Sequence, residues 1–212
     1  MADFTTTTIW HLDAGEQGAS TPSRLQMPKS CENNKHVLLV TGEPGIGKTT
    51  VIRRVANGLE DKALRGFYTE EIREGGERRG FRLVSFDGTA HIIAHANFPK
   101  IHRVGKYGVD VEAIDDAAAL LRPDPDARVY FVDEIGKMEC ISGPFVAAMR
   151  VLLCGDAPIV ATVGARGGGF IAEVKHRPEC DLWEVTHANR DDLPARVLAW
   201  LAERAWPARR RD

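Results

Sequence analysis

The sequence predicts an α/β domain with a mostly parallel central sheet and an antiparallel excursion on one side. Three observations predict it. Short, largely apolar runs at residues 37–40, 128–133 and 158–163 read as strands buried on both faces, and helix-period segments separate them. Three alternating segments broken at Gly75-Gly76 and Asp87-Gly88 read as antiparallel hairpins. A glycine-rich run stands between the first strand and the first helix.

That run is Gly42-Glu43-Pro44-Gly45-Ile46-Gly47-Lys48-Thr49, which fits G-x-x-x-x-G-K-[ST] and continues into Thr50. Glycines let successive backbone N–H groups turn toward phosphate oxygens, and the helix that follows aims its positive end at the same anion. The expected ligand set is therefore residues 42–50, with Lys48 on the β- and γ-phosphates and the Thr49 hydroxyl on Mg2+. Val51, Ile52, Val55 and Leu59 give the helix its apolar face.

Beyond this helix come RGFYTEEI (65–72), RGFRLVSFD (79–87) and AHIIAHA (90–96), the hairpin strands. Val111, Ile114, Ala118 and Leu121 then recur at helical spacing until Pro123 stops them. RVYFVD (128–133) is an apolar strand that runs into paired acids. At the carboxyl end of a parallel strand, Asp133 is placed to hold Mg2+ directly or through water, and Glu134 to orient and deprotonate an attacking water. Residues 143–155 read as a helix with Phe145, Met149, Leu152 and Leu153 on one face. PIVATV (158–163) is a further strand, followed by a loop at 164–169. DLWEVT (181–186) is the last strand, and Leu193, Val197, Leu198 and Leu201 face the core from a final helix.

The 212 residues allow one well-buried domain, expected over residues 35–206. Residues 1–34 are polar, rich in Thr and Ser, and without helical or strand period, which reads as a disordered tail; residues 207–212 read as a basic tail. With 28 Lys and Arg against 30 Asp and Glu, there is no whole-chain basic field, so nucleic acid is not the favoured partner. Cys31, Cys140, Cys154 and Cys180 have neither zinc spacing nor a disulfide pattern, which points to a reducing, cytoplasmic setting. No apolar run approaches the ~20 residues of a membrane span, and no exposed apolar stripe argues against a monomer.

Four blocks in order, GEPGIGKTT (42–50), GFYTEEIREGGERRGF (66–81), VDEIGKME (132–139) and EVTHANRDDLP (184–194), with RVGKYGVD (103–110) in support, resemble the THEP-type P-loop nucleoside-triphosphatase family. The resemblance covers residues 37–194. It implies a P-loop NTPase fold, a three-layer sandwich in which the PIVATV strand lies between the loop strand and the Asp133 strand. It also implies Mg2+-dependent release of the γ-phosphate from ATP, GTP, CTP and UTP with broad base tolerance. Arg73, Arg78, Arg79, Arg103 and Lys106 become candidates for a cation that meets charge on the transferred phosphate, with Arg103 and Lys106 preferred because glycines flank them. Asn189 and Arg190 are expected to frame the base or ribose; the competing reading of Asn189 is a cap on the final helix. A nucleotide or polynucleotide kinase, and a nucleotide-dependent regulatory or nucleic-acid-associated module, are the alternative functions.

Overall fold

A computed structural model describes residues 35–59 and 63–204. The expected tails at 1–34 and 207–212 lie outside the described residues. Among the described residues nine strands and five α-helices follow one another as β1 (Val37–Thr41), α1 (Lys48–Gly58), β2 (Leu64–Glu74), β3 (Glu77–Ser85), β4 (Ala90–His95), β5 (Arg103–Val104), β6 (Tyr107–Val109), α2 (Val111–Ala117), β7 (Val129–Ile135), α3 (Gly143–Leu153), β8 (Ile159–Val163), α4 (Phe170–Lys175), β9 (Cys180–Glu184) and α5 (Leu193–Glu203). All nine strands form one sheet, in the order β5-β6-β4-β3-β2-β7-β8-β1-β9. The pairs β2/β7, β7/β8, β8/β1 and β1/β9 are parallel. The remaining pairs are antiparallel.

This is the predicted architecture, with β8 between the loop strand and the acid-bearing strand. Alternate residues of each central strand feed opposite layers, which is why the strands read as continuous apolar runs. Leu38, Val40 and Val160 pack with Val51, Ile52 and Val55 of α1 and Val197 of α5. On the other face Leu39, Tyr130, Val132 and Ala161 pack with Ile114, Phe145, Met149 and Val174 from α2, α3 and α4.

Local chemistry sets the helix starts. Asp110 accepts a hydrogen bond from Ala113 N at 3.0 Å to cap α2, and Ser142 accepts one from Phe145 N at 2.9 Å to cap α3. The helix expected to run to Leu121 tightens after Ala117 into a 3-10 turn over Ala118–Leu121. Two features have no counterpart in the sequence reading: the six-residue α4 and the short β5–β6 hairpin. Neither is long enough to display a period.

The excursion has one consequence for the site. β2 pairs with β7 only over Leu64–Phe67 and with β3 over Phe67–Glu74, so its second half outruns β7. Thr69 is thereby carried to the end of β7, where Asp133 lies.

Candidate active site

The phosphate loop connects β1 to α1, and Gly47 at the helix N-cap has no side chain to satisfy the first-turn N–H groups, which stay open to an anion. Gly42 has φ +149, and a Cβ there would meet Val185 O at 2.8 Å. Only glycine lets the loop pass so close to the segment after β9. Glu43, Pro44 and Gly45 are exposed, Ile46 anchors the loop in the α1-side core, and Thr49 and Thr50 sit in the first turn of α1.

Lys48 is 9% exposed, and its Nζ donates to the Gly42 and Glu43 carbonyls at 3.2 and 3.4 Å. Nζ also lies 3.6 Å from Glu134 Oε2. Asp133 is only 1% exposed and is held from both sides. Thr162 Oγ1 on β8 donates to its Oδ1 at 2.7 Å, while Thr69 N and Oγ1 donate to its Oδ2 at 3.2 and 3.1 Å. The β7/β8 register shifts between Val132 and Ile135, so strict alternation is interrupted at the two acids, and one reaches Thr162 while the next reaches Lys48.

Burial raises the pKa of Glu134, the Lys48 ammonium pulls it back down, and the neighbouring Asp133 charge pushes it up again. Lys175 on α4 adds a further lowering influence on Glu134 while donating to the Gly164 and Ala165 carbonyls at 2.6 and 3.0 Å. Glu139 lies behind this cluster on a 3-10 turn (Glu139–Ile141), 5% exposed. Its carboxyl is pushed up to about 8, chiefly by burial, with Glu134 and Asp133 adding to the rise. Sequence reading assigned no role to Glu139 or Lys175. The first stands in the VDEIGKME block among apolar neighbours, a signal of burial; the second sits on the unforeseen α4.

Asn189 and Arg190 lie on the segment between β9 and α5, which adjoins the phosphate loop through Val185 N donating to Thr41 O at 2.8 Å. The Asn189 side chain does not cap α5. Its Oδ1 accepts from Thr186 N at 2.8 Å and its Nδ2 donates to Glu184 O at 2.9 Å, so it shapes its own turn.

The five cations suggested for charge stabilisation are engaged within the excursion. Arg73 and Arg78 both pair with Glu71, and Arg79 Nη2 donates to Asn97 Oδ1 at 3.1 Å. Arg103 Nε donates to Gly105 O at 2.8 Å, and Lys106 Nζ lies 5.5 Å from the centre of the Tyr107 ring. Arg103 and Lys106 belong to the β5–β6 hairpin at the outer end of the sheet order, with β6, β4, β3 and β2 between β5 and β7. Five inter-strand gaps at ~4.8 Å each are about 24 Å across the sheet. The sheet order therefore does not bring them to Lys48 and Glu134, a separation that flanking glycines could not reveal.

A glycine-bent loop after β1, a lysine at the helix start and a buried aspartate at the end of a non-adjacent parallel strand define a P-loop nucleotide-binding α/β protein. Within that class the chain belongs to the NTPase family, whose sequence model matches residues 37–198. The nucleoside-triphosphatase THEP1 of Methanopyrus kandleri is 39% identical over 181 residues, covering 80% of this chain and 99% of that protein. The cancer-related nucleoside-triphosphatase of Homo sapiens is 35% identical over 176 residues, covering 75% and 92%. The crystal structure of THEP1 from Aquifex aeolicus superposes with a TM-score of 0.71 at 33% identity, covering 78% of this chain and 98% of that one. Among the described residues no helix is long and apolar enough to cross a membrane.

Proposed function

We propose that this chain, a nucleoside-triphosphate hydrolase of the NTPase family, releases the γ-phosphate by attack of a water molecule activated by Glu134. The phosphate loop, residues 42–50, holds the triphosphate through backbone N–H groups, and the Lys48 ammonium bridges toward the β- and γ-oxygens. The water oxygen bonds to the γ-phosphorus, the bond to the β–γ bridging oxygen breaks, and the proton passes to Glu134 Oε. A nucleoside diphosphate and phosphate leave. The observation that carries this reading is the 3.6 Å approach of Glu134 Oε2 to Lys48 Nζ, which puts the base beside the phosphate-binding cation.

The residues suit Mg2+: the hydroxyl of Thr49 and the carboxylate of Asp133 are hard oxygen donors. Both Asp133 oxygens already accept hydrogen bonds from Thr162 and Thr69, so the carboxylate would be presented to the ion in a fixed orientation, directly or through water. A magnesium ion bound there supplies charge neutralisation at the β- and γ-phosphates. Lys48 is the cation this reading places on the transferred group, and Arg103 and Lys106 are left without a part in the chemistry.

Broad use of ATP, GTP, CTP and UTP fits a base-framing segment in which the Asn189 amide is spent on its own backbone, leaving Arg190 to cover the base or ribose without a base-specific donor and acceptor pair. The setting proposed is a cytoplasmic monomer. Glu134→Gln tests the assignment: binding of a non-hydrolysable ATP analogue persists while phosphate release falls by about 10² to 10⁴. Turnover near the wild-type rate in that variant removes Glu134 from the chemistry.

A further inference from the structure

We propose that Glu139 is a positioning residue for hydrolysis, its buried carboxyl backing Glu134 across the side-chain-free space at Gly136 and holding that carboxylate toward the phosphate. The inference rests on Glu134 being the base. Three observations carry it. A Cβ built on Gly136 would fall 2.8 Å from Glu139 Oε2 and 3.1 Å from Glu134 Oε1, so the two carboxyl groups flank the space that a side chain at this position would occupy. Glu139 is 5% exposed and belongs to a turn fixed by Cys140 N donating to Gly136 O and Ser142 N donating to Glu139 O, both at 3.1 Å. A buried acid without an ion pair is costly unless it stays protonated. The direction of its titration agrees, since burial and the nearby negative charges keep Glu139 neutral until about pH 8.

The groups that face it define what changes when it ionises. Asp133 and Glu134 present negative charge from β7, while the lysines of the same cluster are Lys48 on α1 and Lys175 on α4. Asp115 on α2 is tied to the end of the turn through Ser142 Oγ, and Cys140 beside Glu139 is held as the thiol, its pKa pushed up to about 12. A third anion next to Asp133 and Glu134 repels the triphosphate and disturbs the base. The neutral form is the one that positions Glu134.

Three variants test this by steady-state phosphate release from ATP with Mg2+ across pH 6 to about 9.5, with Glu134→Gln in parallel. Glu139→Ala removes the backing and is expected to lower kcat about 10- to 100-fold with KM changed less than about twofold. Gly136→Ala keeps the Glu139 side chain but puts a methyl group against both carboxyls, which displaces the Glu139 carboxyl from its backing position, and lowers kcat in the same way. Glu139→Gln keeps shape and neutrality, so it retains most of kcat at pH 7 and loses the fall that the wild type shows as pH rises through about 8. A Glu139→Gln enzyme with the wild-type pH profile overturns the proposal, as does a folded Glu139→Ala or Gly136→Ala enzyme with wild-type kcat. Should Glu139→Ala fail to fold, the other two variants decide. Full activity of Glu134→Gln would instead bring down the reading of Glu134 on which the proposal stands.

Discussion

The Lys48 ammonium and the Glu134 carboxylate stand 3.6 Å apart, one at the start of α1 and the other at the end of β7, with β8 between their strands. The pair gives Lys48 two tasks. In the proposed reaction it binds phosphate, and it opposes the rise that burial imposes on the Glu134 pKa. Replacing Lys48 by Met removes both. Loss of hydrogen bonds to a charged ligand, worth about 1.5–3 kcal/mol, lowers nucleotide affinity about 10- to 100-fold. Carboxyl NMR titration of the nucleotide-free variant is expected to show Glu134 titrating at higher pH than in the wild type. An unchanged titration would mean that the ammonium does not act on the base.

Asp133 depends on a threonine from each neighbouring strand, and Thr162 is fully buried. Thr162→Val conserves the shape but deprives Asp133 Oδ1 of its 2.7 Å donor in a site almost closed to water. Leaving such a group unsatisfied costs about 1–3 kcal/mol of stability. The Mg2+ concentration for half-maximal hydrolysis is expected to rise several-fold, measured by magnesium titration at saturating ATP. An unchanged magnesium requirement would show that the Thr162 hydroxyl does not hold Asp133 in its working orientation.

How much of this was legible in the residues follows from which signals are local. The phosphate loop is contiguous, with each glycine, the lysine and the threonine at fixed spacing, and β1 and α1 declare themselves on either side. Asp133 and Glu134 are legible because an apolar strand ends in them. Thr69 and Thr162 are not, since an ordinary threonine in a strand gains meaning only when β2 overruns β7 and β8 slides in between. Glu139 lay in a recognised block, yet its burial depends on the 3-10 turn folding back over β7. Arg103 and Lys106 illustrate a local signal that can serve more than one end. Flanking glycines suggested an approach to a ligand, while the β5–β6 turn they serve closes the far end of the sheet.

Gly66 tests the join between the parallel sheet and the excursion. Its φ is +91, and a Cβ there would lie 2.0 Å from Phe131 O on β7. The contact is with backbone inside the sheet, so no side chain can swing away to relieve it. Gly66→Ala is expected to cost at least about 3 kcal/mol, read as a lower urea midpoint. A midpoint equal to the wild type would show that β2 and β7 can separate at this point without penalty.

The placement of Arg103 and Lys106 leads to a contrasting expectation. Their contacts are with Gly105 and the Tyr107 ring in their own hairpin. The double variant Arg103→Ala, Lys106→Ala should keep kcat within about threefold of wild type, whereas loss of a cation on the transferred phosphate costs about 10³ to 10⁵. A fall of that size would return the charge-stabilising role to the excursion.

Glu139 also ties stability to pH, with a sign opposite to that of a salt-bridged acid. Its folded pKa of about 8 lies above the ordinary value of 4.5, so between those values the folded chain holds a proton that the unfolded chain has released. Stability therefore falls as pH rises across this window. Below pH 4.5 the contribution is fully present, and above about pH 8 it is lost. For a group so deeply buried the full difference is on the order of 5 kcal/mol. Acids held down by partners, such as Glu71 through Arg78 and Asp87 through Ser85, act in the other direction, but at pH below their ordinary values of 4.5 and 3.8. Urea unfolding of the wild type at pH 5.5 and at pH 8.5 should show a lower midpoint at the higher pH, with most of the difference abolished in Glu139→Gln because the amide does not titrate. Equal pH dependence in the two proteins would mean that Glu139 is ionised in the folded state, in which case the acid behind Glu134 is a third charge and not a neutral support.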